Sequence, residues 1–142
     1  MNRRQYRDYS FKLLFHACFY QGEEIREQAD TYLEGCMVPE EDQLLIGDEE
    51  RADLSRRLDL ILAHLPEIDR QITDAAQDWR PGRMNRVDLT IIRLAIYEIQ
   101  FDDNVPNKVA VNEAVELAKK YGGDDSPLFV NGVLSRFMKD EV

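Results

Sequence analysis

The stretch RMNRVDLTIIRLAIYEIQF, residues 83–101, decides the fold. Met84, Val87, Leu89, Ile91, Ile92, Leu94, Ala95, Ile96 and Ile99 cover well over half the circumference of a helix, so this segment is a central helix surrounded by others. Its polar strip is narrow, holding Arg86, Thr90, Arg93 and Tyr97. Two acids, Asp88 and Glu98, fall inside the apolar arc. An acid on such a face is either paired within the fold or left for a partner to meet. Pairing inside suits Glu98, near the helix end, whereas Asp88, one turn past the start, suits a protein interface.

Helical periodicity continues outward in both directions. Downstream, Asp103-Asn104-Val105-Pro106 is a turn before a helix over 107–121, which Gly122-Gly123 stops. Asp125-Ser126-Pro127 opens a last helix, with Ser126 as N-cap and Pro127 at the first helical position. Upstream, Trp79-Arg80-Pro81-Gly82 is a turn, preceded by a helix over 66–78 that Pro66 opens, carrying Ile68, Ile72, Ala75 and Ala76. Asp48 caps a helix over 49–65, with Leu54, Leu58, Ile61, Leu62 and Leu65 in register, which Pro66 ends. The stretch 35–47 reads as a connection with Leu44-Leu45-Ile46 as an apolar anchor, after a helix over 23–33. In the first helix Phe11, Leu14, Phe15 and Cys18 follow the 3, 4, 7 spacing. No run alternates strictly. The expected class is all-α with about seven helices, and the Asp59–Trp79 region marks a seam between helical subunits of about 1–78 and about 79–142.

Composition narrows the function. The 142 residues carry 44% hydrophobic and 32% charged side chains, enough for one or two small cores and not for a large enzyme. No apolar run reaches the roughly 18 residues of a membrane span, and MNRRQYRDYSFK lacks the apolar stretch of a signal peptide, so a cytoplasmic protein is expected. Cys18 in a helix and Cys36 in a loop build no disulfide framework and no zinc site. The formal charge of −10 opposes wholesale wrapping of nucleic acid. Its distribution is uneven, net +3 over residues 1–22 and net −9 over 23–59.

That basic end is peculiar in its placement. Arg3, Arg4 and Arg7 occupy the direct N-terminal extension of the apolar stripe. Buried, unpaired guanidinium groups are prohibitively costly, so the first two turns are expected to overhang the bundle as a basic fork. Tyr6 and Tyr9 interleave with the arginines and offer stacking surfaces for bases. A solvated terminus with scattered positive charge explains the same residues.

Catalysis finds no purchase. Asp88 and Glu98, ten residues apart, lie about 15 Å apart along a helix axis, beyond the roughly 5–9.5 Å of paired glycosidase carboxylates. His16 and His64 have no nucleophile at a recognisable spacing, and there is no phosphate loop or HExxH. Glu116 and Lys120 form an ordinary i, i+4 pair. No enzyme and no cofactor are expected.

The segments VDLTIIRLAIYEI (87–99) and VPNKVAVNEAVELAKKYGGDDSPLFVNGVL (105–134) resemble the C-terminal half of the NusB family of bacterial transcription antitermination factors. RRQYRDYSFKLLF (3–15) resembles that family's Arg-rich opening helix, and the similarity is interrupted mainly over about 23–78. The resemblance implies two perpendicular three-helix bundles forming a single RNA-binding domain over 1–142. It also implies pairing with NusE, a small-subunit ribosomal protein in its transcription role, and binding of single-stranded boxA RNA in nascent, notably ribosomal, transcripts. Other antitermination factors and RNA polymerase would be reached indirectly.

By this resemblance Arg3, Arg4 and Arg7 match basic RNA-contacting positions, and Lys12 adds a further positive charge. Asp125 and Phe129 match positions beside the RNA, where Phe129 either stacks on a base or packs with Val133 in the core. Phe15 and Asp88 match partner-facing positions, with Arg93 close to that surface. Phe15 stands where a tyrosine is frequent and lacks its hydroxyl, and Tyr6 replaces a usual small residue. A protein-only adaptor, with a homodimer masking the basic end, is the alternative. The auxiliary domain of a ribosomal RNA cytosine methyltransferase also resembles this family, but no catalytic cysteine motif or cofactor domain is present in the sequence.

Overall fold

The computed structural model describes residues 1–37, 45–75 and 84–138. They form α1 (Arg3–Ala17), α2 (Glu23–Cys36), α3 (Asp48–Ala75), α4 (Arg86–Phe101), α5 (Asn107–Tyr121) and α6 (Ser126–Leu134), closed by a 3-10 turn over Ser135–Phe137. No strand occurs among them. The chain divides into two compact units, Met1–Leu62 and Ala63–Val142.

In the first unit α1 and α2 pack together. Phe11, Leu13, Leu14 and Ala17 of α1, Ala29, Leu33 and Cys36 of α2, and Leu54, Leu58 and Ile61 of α3 are buried. Gly22, at φ +61°, turns the chain into α2 in the left-handed region that glycine adopts at no steric cost. The helix expected over 23–33 runs on to Cys36, so that cysteine is a buried helical residue and not a loop thiol. Burial raises its pKa. Of the expected apolar anchor, Ile46 is buried and its N–H donates to the Cys36 carbonyl (3.4 Å), while Leu45 is exposed.

The second unit is built on α4, which contacts both α5 and α6, and these contact one another. Ile91, Ile92, Leu94, Ala95 and Ile96 are at most 1% exposed. The polar strip of α4 is narrower than its sequence suggests, because Thr90 and Tyr97 are also buried. Thr90 satisfies its hydroxyl on the Arg86 carbonyl (2.7 Å).

Pro66 corrects the helix count. The two helices expected on either side of it are one, α3, with Pro66 inside. Leu54, Leu58, Ile61, Ile68 and Ile72 are all buried, so one apolar stripe continues across the proline and outweighs the lost hydrogen bond to the Leu62 carbonyl, a cost of about 3 kcal/mol. Pro66 itself is exposed. The division between units falls at Leu62 and Ala63, inside this helix. The end of the segment expected over 66–78, the Trp79–Gly82 turn and residues 38–44 of the 35–47 connection lie outside the described residues.

The start of α6 also differs from expectation. Its N-cap is Asp125, and Ser126 is the first helical residue. The Ser126 hydroxyl instead accepts the Gly123 N–H (3.0 Å), while the Ser126 N–H donates to the Gly123 carbonyl (3.1 Å). This tight reversal needs Gly122: a Cβ there would sit 2.5 Å from Ser126 Cβ and Oγ and 2.8 Å from the Ala118 carbonyl.

Candidate functional site

Residues singled out in the sequence fall in both units. At the start of α1, Asn2 and Gln5 form a capping box: Asn2 Oδ1 accepts the Gln5 N–H (2.8 Å), and Gln5 Oε1 accepts the Asn2 N–H (2.9 Å). Arg3 and Arg4 are exposed in a first turn that contains no acid. The amino group of Met1 lies 3.4 Å from Glu50 Oε2 on α3, and Glu50 Oε1 accepts the Gly47 N–H (3.0 Å). That backbone hydrogen bond, with the nearby amino group, lowers the pKa of Glu50.

The basic overhang expected for two turns stops after one. Arg7 is 7% exposed, Tyr9 is 7% exposed, and Arg7 has interactions of its own within the protein. Its long aliphatic stem is what allows a guanidinium to enter a partly apolar surrounding. Tyr6 is half-buried, with the Arg57 guanidinium 5.4 Å from its ring centroid. Lys12 pairs with Asp8 (3.2 Å) and lies 5.6 Å from the Tyr9 ring. The tyrosines offered as base-stacking surfaces therefore face cations of the protein itself, and Arg3 and Arg4 are the exposed part of the fork.

At the other end of α1, Phe15 is half-buried between Phe11 (ring centroids 6.0 Å apart, stacked) and Phe19 (5.2 Å, edge-on). Phe19 is 52% exposed. The i, i+4 spacing of helix neighbours builds this aromatic ladder.

In the second unit Asn85 caps α4: its Oδ1 accepts the Asp88 N–H (2.8 Å), and its Nδ2 donates to Asp88 Oδ2 (2.9 Å). Asp88 is 5% exposed, and its Oδ1 is buried without a hydrogen-bond partner. A buried carboxylate oxygen left unsatisfied is expensive. Arg93, expected near a partner surface, makes a bidentate clasp on Asp69 of α3 (Nε 2.8 Å, Nη2 2.7 Å). Gln100, one heptad further, exchanges hydrogen bonds with Gln71 (3.0 and 2.6 Å). The polar edge of α4 thus fastens it to α3. Glu98 is 1% exposed and engaged within the protein.

On α6, Asp125 is exposed and Phe129 is half-buried, while Val133 is fully buried. Leu128, between them in the chain, is 80% exposed. Sequence reasoning missed Asp69, Arg57 and the exposure of Leu128. The first two depend on contacts 24 and 51 residues apart, which no local pattern reports. Leu128 was legible, since it falls off the stripe formed by Ser126, Val130 and Val133.

Among the described residues no group of three or more His, Cys, Asp or Glu side chains could hold a metal ion. None of the helices there is long and apolar enough to cross a membrane. These features define a small all-helical protein whose distinctive groups are an exposed arginine turn and a buried, incompletely bonded carboxylate. The NusB family model matches residues 4–139, and the chain belongs to the NusB family.

Its relatives agree. The transcription antitermination protein NusB of Agathobacter rectalis is 44% identical over 137 residues, covering 96% of this chain and 99% of that protein. The NusB of Lachnoclostridium phytofermentans is 45% identical over 136 residues, covering 96% and 98%. The solved structure of T. maritima NusB superposes with a TM-score of 0.79 at 31% identity, covering 99% of this chain and 92% of that one. The Agathobacter rectalis and Lachnoclostridium phytofermentans proteins are both named for transcription antitermination.

Proposed function

We propose that this protein is a cytoplasmic transcription antitermination factor that pairs with a NusE-type ribosomal protein and holds boxA RNA of nascent transcripts, without catalysis or cofactor. Other antitermination factors and RNA polymerase are reached through that complex. The observation that carries the proposal is Asp88, a buried carboxylate at a helix start with one oxygen unbonded. A donor supplied by a protein partner completes it, which gives the free energy of pairing a specific source.

The RNA arm rests on Arg3 and Arg4, exposed where α1 begins and no acid follows in the first turn. Guanidinium groups fork onto phosphate oxygens. Arg7, one turn on, is buried and engaged within the protein, and Lys12 contributes a charge already shared with Asp8. At the start of α6, the half-buried Phe129 is a surface for an unpaired base and the N-cap Asp125 an acceptor for a base edge. Phe15, with Phe19 beside it, supplies apolar contact to the protein partner. Arg93 acts on that surface by holding α4 on α3. The burial of Arg7 and the pairing of Lys12 favour a second reading, a protein-only adaptor with little RNA affinity.

Replacing Arg3 and Arg4 together by Ala tests the RNA arm. RNA affinity falls while the melting temperature stays within a few degrees, because neither side chain is buried. Unchanged affinity in the presence of the partner protein excludes this turn from the RNA path.

A further inference from the structure

The face of α3 turned away from its buried stripe carries a charge pattern that is its own complement. The helix buries Leu54, Leu58, Ile61, Ile68 and Ile72 on one side. On the other, Asp53, Arg56, Leu60, Ala63, Glu67 and Arg70 are all exposed, at the alternating three- and four-residue spacing of a helix–helix seam. Leu60 is 53% exposed, and the exposed side chains of Asp53 and Arg56 pair with each other. Neighbouring polar groups are drawn elsewhere: Asp59 to Arg26, Asp69 to Arg93 and Gln71 to Gln100. Along the face the signs run minus, plus, neutral, neutral, minus, plus. Read backwards, the order is plus, minus, neutral, neutral, plus, minus. Each charge therefore meets its opposite when the helix is laid antiparallel on a second copy of itself, whereas in a parallel pair every charge meets its own kind.

We propose that this face is a self-association surface, on which α3 of a second copy of this chain packs antiparallel about a two-fold axis passing between Leu60 and Ala63. An isologous contact of this kind makes every pairing twice. Arg56 meets Glu67 of the second copy, Asp53 meets its Arg70, and Leu60 packs on its Ala63. The small side chain of Ala63 suits helix axes about 8–10 Å apart. At 1.5 Å per residue, the Arg56–Glu67 contacts lie about 8 Å along the helix from the two-fold axis and the Asp53–Arg70 contacts about 13 Å. Each half of the contact is a ring of four charges alternating in sign: the Asp53–Arg56 pair of one copy against Glu67 and Arg70 of the other. Such a network contributes more than isolated surface pairs. The stripe is neutral on a chain of net charge −10, so it is a place where two copies meet without bringing like charges together. One helix face buries less than the roughly 1,200–2,000 Å² of a standard interface, and the dimer is weak. The proposal is independent of RNA binding and does not use the arginines of α1.

The test is sedimentation equilibrium of the full chain at concentrations up to about 1 mM, at low and at high salt. Wild type is expected to dimerise at the upper concentrations, and less so at high salt. Arg56→Glu sets an acid against Glu67 of the second copy, and Glu67→Arg sets a base against its Arg56. Each is expected to weaken dimerisation about tenfold, Glu67→Arg even though it lowers the net negative charge of the chain. The double variant Arg56→Glu/Glu67→Arg exchanges the partners and regains wild-type association. An equimolar mixture of the two single variants, one of them fluorescently labelled, forms a mixed dimer that neither makes alone. Both positions are exposed, so melting temperatures stay within a few degrees of wild type. Wild type that stays monomeric throughout overturns the proposal. So does a wild-type dimer that survives both single substitutions, or one abolished by Arg3→Ala/Arg4→Ala, since either places the contact elsewhere. Association lost in the single variants and regained in neither the double variant nor the mixture overturns the antiparallel pairing.

Discussion

Asp88→Ala separates an interface carboxylate from an internal strut. In the free protein the substitution removes the hydrogen bond from Asn85 Nδ2 at 2.9 Å, a charge-assisted bond of about 1.5–3 kcal/mol. It also removes a negative charge from the first turn of α4, about 0.3–1 kcal/mol of helix-dipole stabilisation. Against these stands the loss of a buried oxygen with no partner, which returns about 1–3 kcal/mol. The Asn85 cap on the Asp88 N–H survives, because that donor is backbone. At the middle of these ranges the opposing terms leave a net loss of about 1 kcal/mol, a shift of a few degrees in Tm. In the complex the same oxygen is satisfied and desolvated, and truncation costs about 2–5 kcal/mol, or roughly 30-fold to 4000-fold in Kd. Calorimetric titration with the NusE-type protein reads the second quantity, and a thermal melt of the same sample reads the first. Asp88→Lys, which reverses the charge, weakens pairing further. A Kd within threefold of wild type, or a Tm lowered by ten degrees or more, refutes the interface assignment.

Three other perturbations have definite outcomes. Gly122→Ala places a methyl group 2.5 Å from Ser126 Cβ at an ordinary φ, so its cost is steric overpacking of about 1–3 kcal/mol, a Tm lower by roughly 3–12 °C; an unchanged Tm would show that α6 yields freely. Arg93→Met leaves Asp69 without its bidentate partner at a site that is only partly exposed, and urea unfolding reads a loss of about 1–3 kcal/mol; recovery in an Asp69→Leu/Arg93→Met double variant identifies the clasp as the cause. Glu50 has a folded pKa below its unfolded value, so its contribution is fully present above pH 4.5 and is lost as pH falls through the lowered folded pKa. Glu50→Gln flattens that acid limb of the stability curve, and an acid limb identical to wild type excludes the contact with Gly47 and the Met1 amino group as its source.

The parts legible in the sequence are those fixed by local periodicity. Nine apolar residues between Met84 and Ile99 leave α4 no place but the centre of its unit, and Pro106 with Gly122 bounds α5 as glycine and proline chemistry dictates. Pro66 misled because its local rule competes with a longer pattern: the spacing 54, 58, 61, 65, 68, 72 carries one stripe through it, and that stripe wins. Arg7 misled for a different reason. The cost of burying a charge holds for an unpaired one, and partners contributed by tertiary packing are invisible in the helix that bears the arginine. Arg93 and Arg57 show the same limit, since Asp69 and Tyr6 reach them only through folding. The candidate residues near helix starts were legible as positions, but their hydrogen-bond state was not, and that state gives Asp88 its significance.

The central claim is tested most directly by titrating labelled boxA RNA, at several salt concentrations, with the protein alone and then premixed with the NusE-type ribosomal protein. Tight binding in the mixture only, with a log–log salt slope near −0.7 for each phosphate contacted, is the predicted result. A stable protein complex that binds no RNA under either condition contradicts it and makes the protein an adaptor between proteins.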